Sequence, residues 1–558
     1  MLYSNRNELL WFIGLTVFAT LFLVLGLDAA PLIDWDENIY AEASRQMIER
    51  GDYLNIYINS YPFAEKPPFF FWMVSVSYHL FGINEFGARF PSAFSGVLSV
   101  WMCFYFGTKV KSFRLGILWG LIYLTSFLPS IFARSAVIDH TFNLFIMLST
   151  FSLYAYDVRY KRFLSLEKNS RDTVLIDHWM LLTIASISMG LGVLTKGPLA
   201  GVIPLVGYGF FKVIYPYPRI SWLHFFFCGA LSLSVALSWY IANWWVHGFK
   251  FIEDFIGFQM ALFSKPLEGN ERPFYYHFVV ALVGIFPWTP FLFLFNPGHV
   301  PKEHPHLRPL LVISTAWLVF VLVLFSIVTT KLPHYSASIY VPLSFVVAFC
   351  LERLIDKKLS VNRWIVGFFL MLGTLFSVLL LLFPTLMDNH FIKQGIVFEI
   401  QWLKSYYLPG IGFFLGIVVA CILFWRRRIW FAAWVTALAM FFGTQGVWRV
   451  HVPVYLQYVQ KPLLDLVQEA HIKNGKVVFY RLVSFAALFY GKRPIEMLHT
   501  YKFPGHPQIL NSKQEQDLFV ITERKHKKSL KNDHPLVQFS QDLGTYSLFI
   551  LPRSSEKR

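Results

Sequence analysis

Charge is what this 558-residue chain has little of: Asp, Glu, Lys and Arg make up 15% of it, where soluble domains average roughly 25%. Beside an apolar content of 56%, that shortage excludes an ordinary soluble enzyme. Cysteine is scarce too, and Cys103, Cys228, Cys350 and Cys421 all lie inside apolar runs with no short spacing between any two. Neither a disulfide framework nor a cysteine zinc site follows. The chain also lacks Gly-x-x-x-x-Gly-Lys-Ser/Thr and a Gly-x-Gly-x-x-Gly after a strand, so no nucleotide-binding loop is read. Tandem repeats and low-complexity tracts are absent as well.

What the chain has is long apolar runs. About thirteen come near the roughly 20 residues that cross a bilayer. They lie near 9–28, 88–108, 115–133, 138–156, 179–195, 199–215, 222–242, 277–296, 309–329, 336–352, 364–384, 408–425 and 429–446. The first is too long for a signal peptide and has no small-residue cleavage site, so it is expected to remain as a span.

Lys and Arg in short loops resist translocation and mark the cytoplasmic side. They recur in alternate loops: Lys109, Lys111 and Arg114; Arg159, Lys161, Arg162, Lys168 and Arg171; Lys212 and Arg219; Lys302 and Arg308; Arg353, Lys357, Lys358 and Arg363; Arg426, Arg427 and Arg428. This pattern puts the N-terminus inside and the C-terminus outside. It also accounts for most of the +16 formal charge, so the basic balance points to membrane lipids and not to nucleic acid.

Three outward segments are longer than connectors. Residues 29–87 contain amphipathic stretches expected to lie along the membrane surface, one with Tyr40, Ala43 and Met47 on one face before Gly51 stops it. Residues 243–276 and 385–407 are the other two. Beyond about Arg449 the chain grows polar, with a helix-like stretch near 459–471, strand-like runs at 476–481, 517–522 and 546–551, and a short helix from Ser484 to Tyr490 stopped by Gly491. The expected architecture is a polytopic α-helical membrane protein over 1–446 and a soluble α/β domain over 447–558 on the outer side.

With orientation fixed by loop cations alone, the uncommon residues converge on that outer side. Asp34, Asp36 and Glu37 follow the first span, and Glu65-Lys66-Pro67-Pro68 closes the first outward loop. Arg134 and Asp139 flank the start of the fourth span; Lys196, Arg272 and Lys331-Leu332-Pro333-His334-Tyr335 complete the set. Ionisable groups at the bilayer boundary are costly unless they are paired or face water, so the cluster reads as a functional site. Lysine and arginine there can hold a phosphate, and carboxylates beside them can accept a proton from an attacking hydroxyl. A transporter or lipid flippase would place such groups near the midplane of two related halves, and neither feature is present. Asp34 reads as a helix cap or a solvated carboxylate, His334 as a hydrogen-bonded loop histidine, and Trp288 as packing at a proline-kinked span.

The motifs Asp36-Glu37-Asn38-Ile39-Tyr40-Ala41, Glu65-Lys66-Pro67-Pro68 and Lys331-Leu332-Pro333-His334-Tyr335 resemble those of the C-type glycosyltransferases of the protein O-mannosyltransferase superfamily. The likeness is strongest to the undecaprenyl phosphate-aminoarabinose:lipid A aminoarabinose transferase group. It implies the C-type glycosyltransferase fold, a polyprenyl (undecaprenyl) phosphate sugar donor, and lipid A or another envelope acceptor. Transfer with inversion would take place on the periplasmic side of the inner membrane.

Carried over by position, Asp36, its neighbour Glu37 and Asp139 become catalytic carboxylates. Lys66, Arg272 and Tyr335 become donor-phosphate contacts, joined by the nearby Lys196 and Lys331, and Glu65 becomes a ligand to a divalent metal. Two departures separate this chain from the lipid A enzymes. Ile39 stands where they carry arginine, and no histidine lies between Phe251 and Tyr276 to complete a metal site, which argues against zinc. The sugar and the acceptor stay open, with a protein O-mannosyltransferase-like enzyme or a polysaccharide polymerase or ligase as alternatives.

Overall fold

The computed structural model describes residues 6–165, 172–264, 271–299, 306–393, 403–500, 505–510 and 515–553. The expected outward segments 243–276 and 385–407 therefore lie partly outside the described residues. Backbone polar groups in lipid must be satisfied within the chain, which leaves helix as the way for separate segments to cross. The helices run in the order α1 (Arg6–Val24), α2 (Asp36–Arg50), α3 (Phe69–Phe81), α4 (Glu85–Val110), α5 (Phe113–Thr125), α6 (Phe127–Arg134), α7 (Asp139–Ser165), α8 (Asp172–Thr195) and α9 (Leu199–Ile214). They continue with α10 (Trp222–His247), α11 (Lys250–Ser264), α12 (Tyr276–Gly284), α13 (Thr289–Leu292), α14 (Leu307–Ile327), α15 (Tyr340–Ile355), α16 (Arg363–Lys393), α17 (Leu408–Trp425) and α18 (Ile429–Gly446).

Among the described residues, 8 helices are long and apolar enough to cross a membrane, or 9 if α5 and α6 are one bent span. This is fewer than the expected thirteen, and the reason is local. Between α5 and α6 the chain bends by 67°, because Ser126 adopts an extended backbone at φ −70°, ψ 139°. The run near 277–296 is split into α12 and α13 around Phe286-Pro287, where proline offers no N–H to a continuing helix. Helices α1 and α9 are apolar but short.

Helix α2 departs from the expected surface helix. Every residue from Glu37 to Met47 is buried, on the polar face as well as the apolar one. Tyr40 packs against Phe70 and Phe71 of α3 at centroid distances of 5.4 and 5.3 Å, while the C-terminal domain covers another side. Gly51 ends the helix as expected, at φ +65°.

The expected boundary at 446/447 falls inside a continuous helix, since α18 runs through a π-helical turn at Val447–His451 into α19 (Val452–Val459). Helix α20 (Lys461–Ile472) then leads into a five-stranded sheet of β3 (Lys476–Tyr480), β4 (Glu496–Leu498), β5 (Leu518–Glu523), β6 (Gln538–Leu543) and β7 (Tyr546–Leu551). A separate hairpin of β1 (Tyr57–Ile58) and β2 (Tyr61–Pro62) lies between α2 and α3. The sheet order is β4-β3-β5-β7-β6; β3 is parallel to β4 and β5, and β7 is antiparallel to β5 and β6. Helix α21 (Phe485–Gly491) starts at a Ser484 cap, and Lys492 in the left-handed region at φ 53° ends it one residue beyond the expected Gly491. A short helix, α22 (Lys527–Asp533), follows β5.

The domain is joined to the membrane part by a shared core. Leu463, Leu466, Phe479, Phe485 and Phe519 pack in one cluster with Tyr40, Met47, Phe70 and Phe71. Asp34 adds a polar tie: Ser484 Oγ donates to its Oδ2 at 2.6 Å, and the Phe485 and Ala486 amides donate to Oδ1 at 3.0 and 2.9 Å. A cap is therefore its role, at the start of α21 some 450 residues away. Burial pushes its carboxyl pKa up, while these hydrogen bonds oppose the shift. Asp34→Ala should cost about 1 kcal/mol, the usual worth of an N-cap, and lower the unfolding midpoint of the purified protein in detergent. An unchanged midpoint would contradict the cap.

Candidate functional site

The site is set by one buried ion pair. Arg89 of α4 is fully enclosed, and its Nε and Nη2 donate to Glu37 Oε1 and Oε2, each at 2.8 Å. Its remaining N–H groups meet the carbonyls of Leu27 at 2.7 Å, Ala30 at 2.6 Å and Pro31 at 2.8 Å. Glu37 accepts two more hydrogen bonds, from the amides of Ile33 at 2.8 Å and Ala136 at 2.7 Å. The pair thus joins the segment after α1, the start of α2, the beginning of α4 and the link between α6 and α7. Both oxygens of Glu37, expected among the catalytic carboxylates, are fully engaged by these four hydrogen bonds.

Asp36, one position earlier, points elsewhere and stays half-buried. Around Tyr40, one turn on, the structure gathers Asp36, Asp139, Glu65 and Tyr335. Asp139 opens α7 and pairs with Lys196 from the turn after α8. The Lys196 ammonium also sits over the rings of Tyr335 and Phe142, at 5.3 and 5.7 Å. Arg134 does not join Asp139. It turns into the bundle and donates to the Phe22, Leu25 and Gly26 carbonyls where α1 ends, the end of a helix that favours a cation.

Lys66, held just before α3, completes this group. Its charged neighbours are Lys196, Glu65, Asp36 and Asp139. Burial, then the Lys196 charge, pulls its pKa below the ordinary lysine value of 10.5, yet part of its surface stays accessible, as for a side chain lining a cavity. The Glu65 carbonyl accepts from Gln259 Nε2 of α11 at 3.1 Å.

Arg272 and Lys331 form an adjoining group. An antiparallel bridge between Glu271 and Thr330 aligns their segments, and both residues line an open pocket of about 490 Å³. Arg272 is exposed and donates to the Glu271 carbonyl at 2.8 Å; Lys331 is buried and donates to the Val328 carbonyl at 2.6 Å. Two histidines lie between the groups. His334 faces Asp139, Lys196, Asp36 and Lys66, and His277 of α12 faces Lys331 and His334 while its Nδ1 meets Ser336 Oγ at 2.9 Å. Sequence reasoning set His334 aside; its place beside Tyr335 in the same motif was the available signal.

Among the described residues no group of three or more His, Cys, Asp or Glu side chains could hold a metal ion. What the cluster can do is hold an anion with Lys66, Lys196, Arg272 and Lys331, and accept a proton at Asp36.

Residues 13–252 match the family model described as dolichyl-phosphate-mannose-protein mannosyltransferase. A Pectobacterium carotovorum protein named undecaprenyl phosphate-alpha-4-amino-4-deoxy-L-arabinose arabinosyl transferase is 30% identical over 365 residues, 63% of this chain and 61% of that one. A protein of the same name from Aeromonas hydrophila is 29% identical over 375 residues, 64% of this chain and 63% of that one. The match therefore spans a little over 60% of the length of these curated relatives. In fold, the chain is similar to the crystal structure of ArnT from Cupriavidus metallidurans bound to undecaprenyl phosphate, with a TM-score of 0.77 at 19% identity and 98% coverage of both chains. The resemblance drawn from the Asp36, Lys66 and Tyr335 motifs is borne out at the level of family likeness and fold.

Removing one partner of a buried, hydrogen-bonded ion pair costs about 3–5 kcal/mol, whereas replacing both by apolar residues is often tolerated. Glu37→Gln should therefore melt far below the wild type in detergent, and the double variant E37M/R89M should recover part of the loss. Wild-type melting of Glu37→Gln would show that the pair fixes nothing.

Proposed function

We propose that this chain is an integral membrane glycosyltransferase that moves a sugar from a polyprenyl phosphate, of the undecaprenyl type, to lipid A or another envelope acceptor. The observation that carries the reading is the gathering around Tyr40 of carboxylates and cations from separate segments of the chain, in a protein otherwise poor in charge. The names of the similar proteins support the same chemistry.

In this reading the chain crosses the inner membrane about thirteen times: α5–α6 and α12–α13 each count as one crossing, with α1, α4, α7 to α10 and α14 to α18 supplying the others. The N-terminus is cytoplasmic, and the cluster and the C-terminal domain are periplasmic. The acceptor hydroxyl attacks the anomeric carbon from the side opposite the phosphate. A new carbon–oxygen bond forms as the anomeric carbon–phosphate oxygen bond breaks, the bonding electrons leave with the polyprenyl phosphate, and the hydroxyl proton passes to Asp36. A single displacement of this kind inverts the anomeric centre. Lys66, Arg272 and Lys331 meet the charge that builds on the departing phosphate, with the Tyr335 hydroxyl as a further donor. Asp139 holds Lys196 in place beside them.

The mannosyltransferase family model over residues 13–252 favours a second reading, transfer to a protein hydroxyl. Mass spectrometry of lipid A and envelope glycans, with and without this protein, separates the two.

A positioned general base is worth about 10²–10⁴-fold in rate. Asp36→Asn should lose activity on that scale with an unchanged melting midpoint, and full transfer by the variant would remove Asp36 from the mechanism. Lys66 supplies a second check. Burial favours its neutral amine, so the ammonium that would hold phosphate is present below its lowered pKa and lost as pH rises through it, earlier than for an ordinary lysine. Donor KM should therefore rise on the alkaline side, and Lys66→Arg, which keeps its charge, should move that rise to higher pH. Identical alkaline limbs in the two proteins would assign Lys66 another role.

A further inference from the structure

The C-terminal sheet has a topological switch that the transfer reaction does not use. From β3 the chain crosses through α21 to β4 on one side, then returns to pair β5 on the other side of β3. Helix α21 packs on the sheet face that meets α2, whereas Leu530 of α22, which follows β5, packs on the opposite face with Val478 and Val520. Chain segments that leave neighbouring parallel strands toward opposite faces open a crevice at the strand carboxyl ends, the usual ligand position in open α/β sheets.

Polar residues collect there. Arg481 and His499 directly follow β3 and β4, both in the left-handed region at φ 51° and 55°, and the Arg481 amide donates to the Leu498 carbonyl at 2.9 Å. Such backbone angles are uncommon for side chains of this size. The Tyr480 hydroxyl, at the end of β3, meets Ser529 Oγ at 3.0 Å and donates to Asp533; Arg481 lies 3.9 Å from the same carboxylate. His534 closes the group, its ring 6.0 Å from Tyr480 and 6.4 Å from His499. It is 6% exposed, and among the described residues neither of its ring nitrogens has a hydrogen-bond partner. A buried imidazole with an unused donor and an unused acceptor calls for a polar ligand. In the adjoining stretch 523–533, Lys525 pairs with Glu523 and Lys527 with Asp542, yet Arg524, Lys525, Lys527, Lys528 and Lys531 outnumber Glu523 and Asp533, and the positive balance favours an anion.

We infer that the carboxyl ends of β3 and its two parallel neighbours, β4 and β5, form a second binding site, for a sugar carrying a phosphate group, with Arg481 on the phosphate and His499 and His534 on the phosphate or the sugar hydroxyls. The site is independent of the transferase reading: it concerns binding alone, and it lies on elements that carry none of the proposed donor contacts.

The test is calorimetric titration of the full-length protein in phosphatidylcholine nanodiscs with glucosamine 1-phosphate, in a K66A/R272A background that removes two donor-site cations. Saturable binding is expected there, with unphosphorylated glucosamine failing to bind. Both positions are exposed, so folding is not at stake: Arg481→Gln should weaken binding by about tenfold, the effect of one lost charged hydrogen bond, and His499→Gln by about fivefold, that of one ordinary hydrogen bond. Nanodiscs that also contain lipid A identify the natural source: competition points to a lipid headgroup and its absence to a soluble sugar phosphate, and the site stands in either case. No saturable binding, equal binding of glucosamine, or affinities unchanged in both variants would overturn the inference.

Discussion

The pairing of Glu37 with Arg89 is the constraint on which the end of the helices that carries Asp36 and Asp139 depends. A charge inside the protein is costly unless its hydrogen bonds are complete, and here every N–H of the guanidinium is engaged, by Glu37 and by the carbonyls of Leu27, Ala30 and Pro31. The carboxylate in turn fixes the Ala136 amide, three residues before Asp139. Asp36 and Asp139 are thereby tied to one rigid centre, although they begin different helices. Neighbouring residues on a helix project about 100° apart. Glu37 can therefore serve as the anchor while Asp36 stays available for chemistry.

The same constraint brings in the C-terminal domain. Asp34 caps α21 two residues before Asp36, and Gln460 joins the start of the loop by donating to the Leu32 carbonyl and accepting from the Asp34 amide, both at 3.0 Å. Asn59 and Ile495 exchange two further hydrogen bonds, at 2.7 and 2.9 Å. With α2 buried between α3 and this domain, the segment between α1 and α4 is an internal part of the structure. Any movement of the domain would be felt at Asp36.

Much of the candidate site was legible because ionisable residues are rare in this chain and stand out against apolar runs. Asp36, Lys66, Asp139 and Lys196 each stand out that way, whereas Tyr335 is singled out by the motif likeness alone. What could not be read was partnership. Glu37 and Arg89 are 52 positions apart, Arg89 sits inside an apolar run, and only the tertiary fold reveals that they meet. Arg134 was placed near Asp139 by sequence proximity, but the carbonyls ending α1 compete for it successfully. Lys111 and Lys212, read as anchoring loop cations, are buried in pairs with Glu352 and Asp157. In the sheet, β3, β5 and β7 were visible as apolar runs, while β4 has only three residues and β6 has a largely exposed polar sequence. Both escape a hydrophobic pattern for that reason.

The most direct test is an experimental structure of the protein with undecaprenyl phosphate bound. The phosphate is expected within hydrogen-bond distance of Lys66 and Arg272, beside Asp36, with the Glu37–Arg89 pair intact. A phosphate held at the opposite end of the helices, near Lys212 and Arg308, would contradict the central claim.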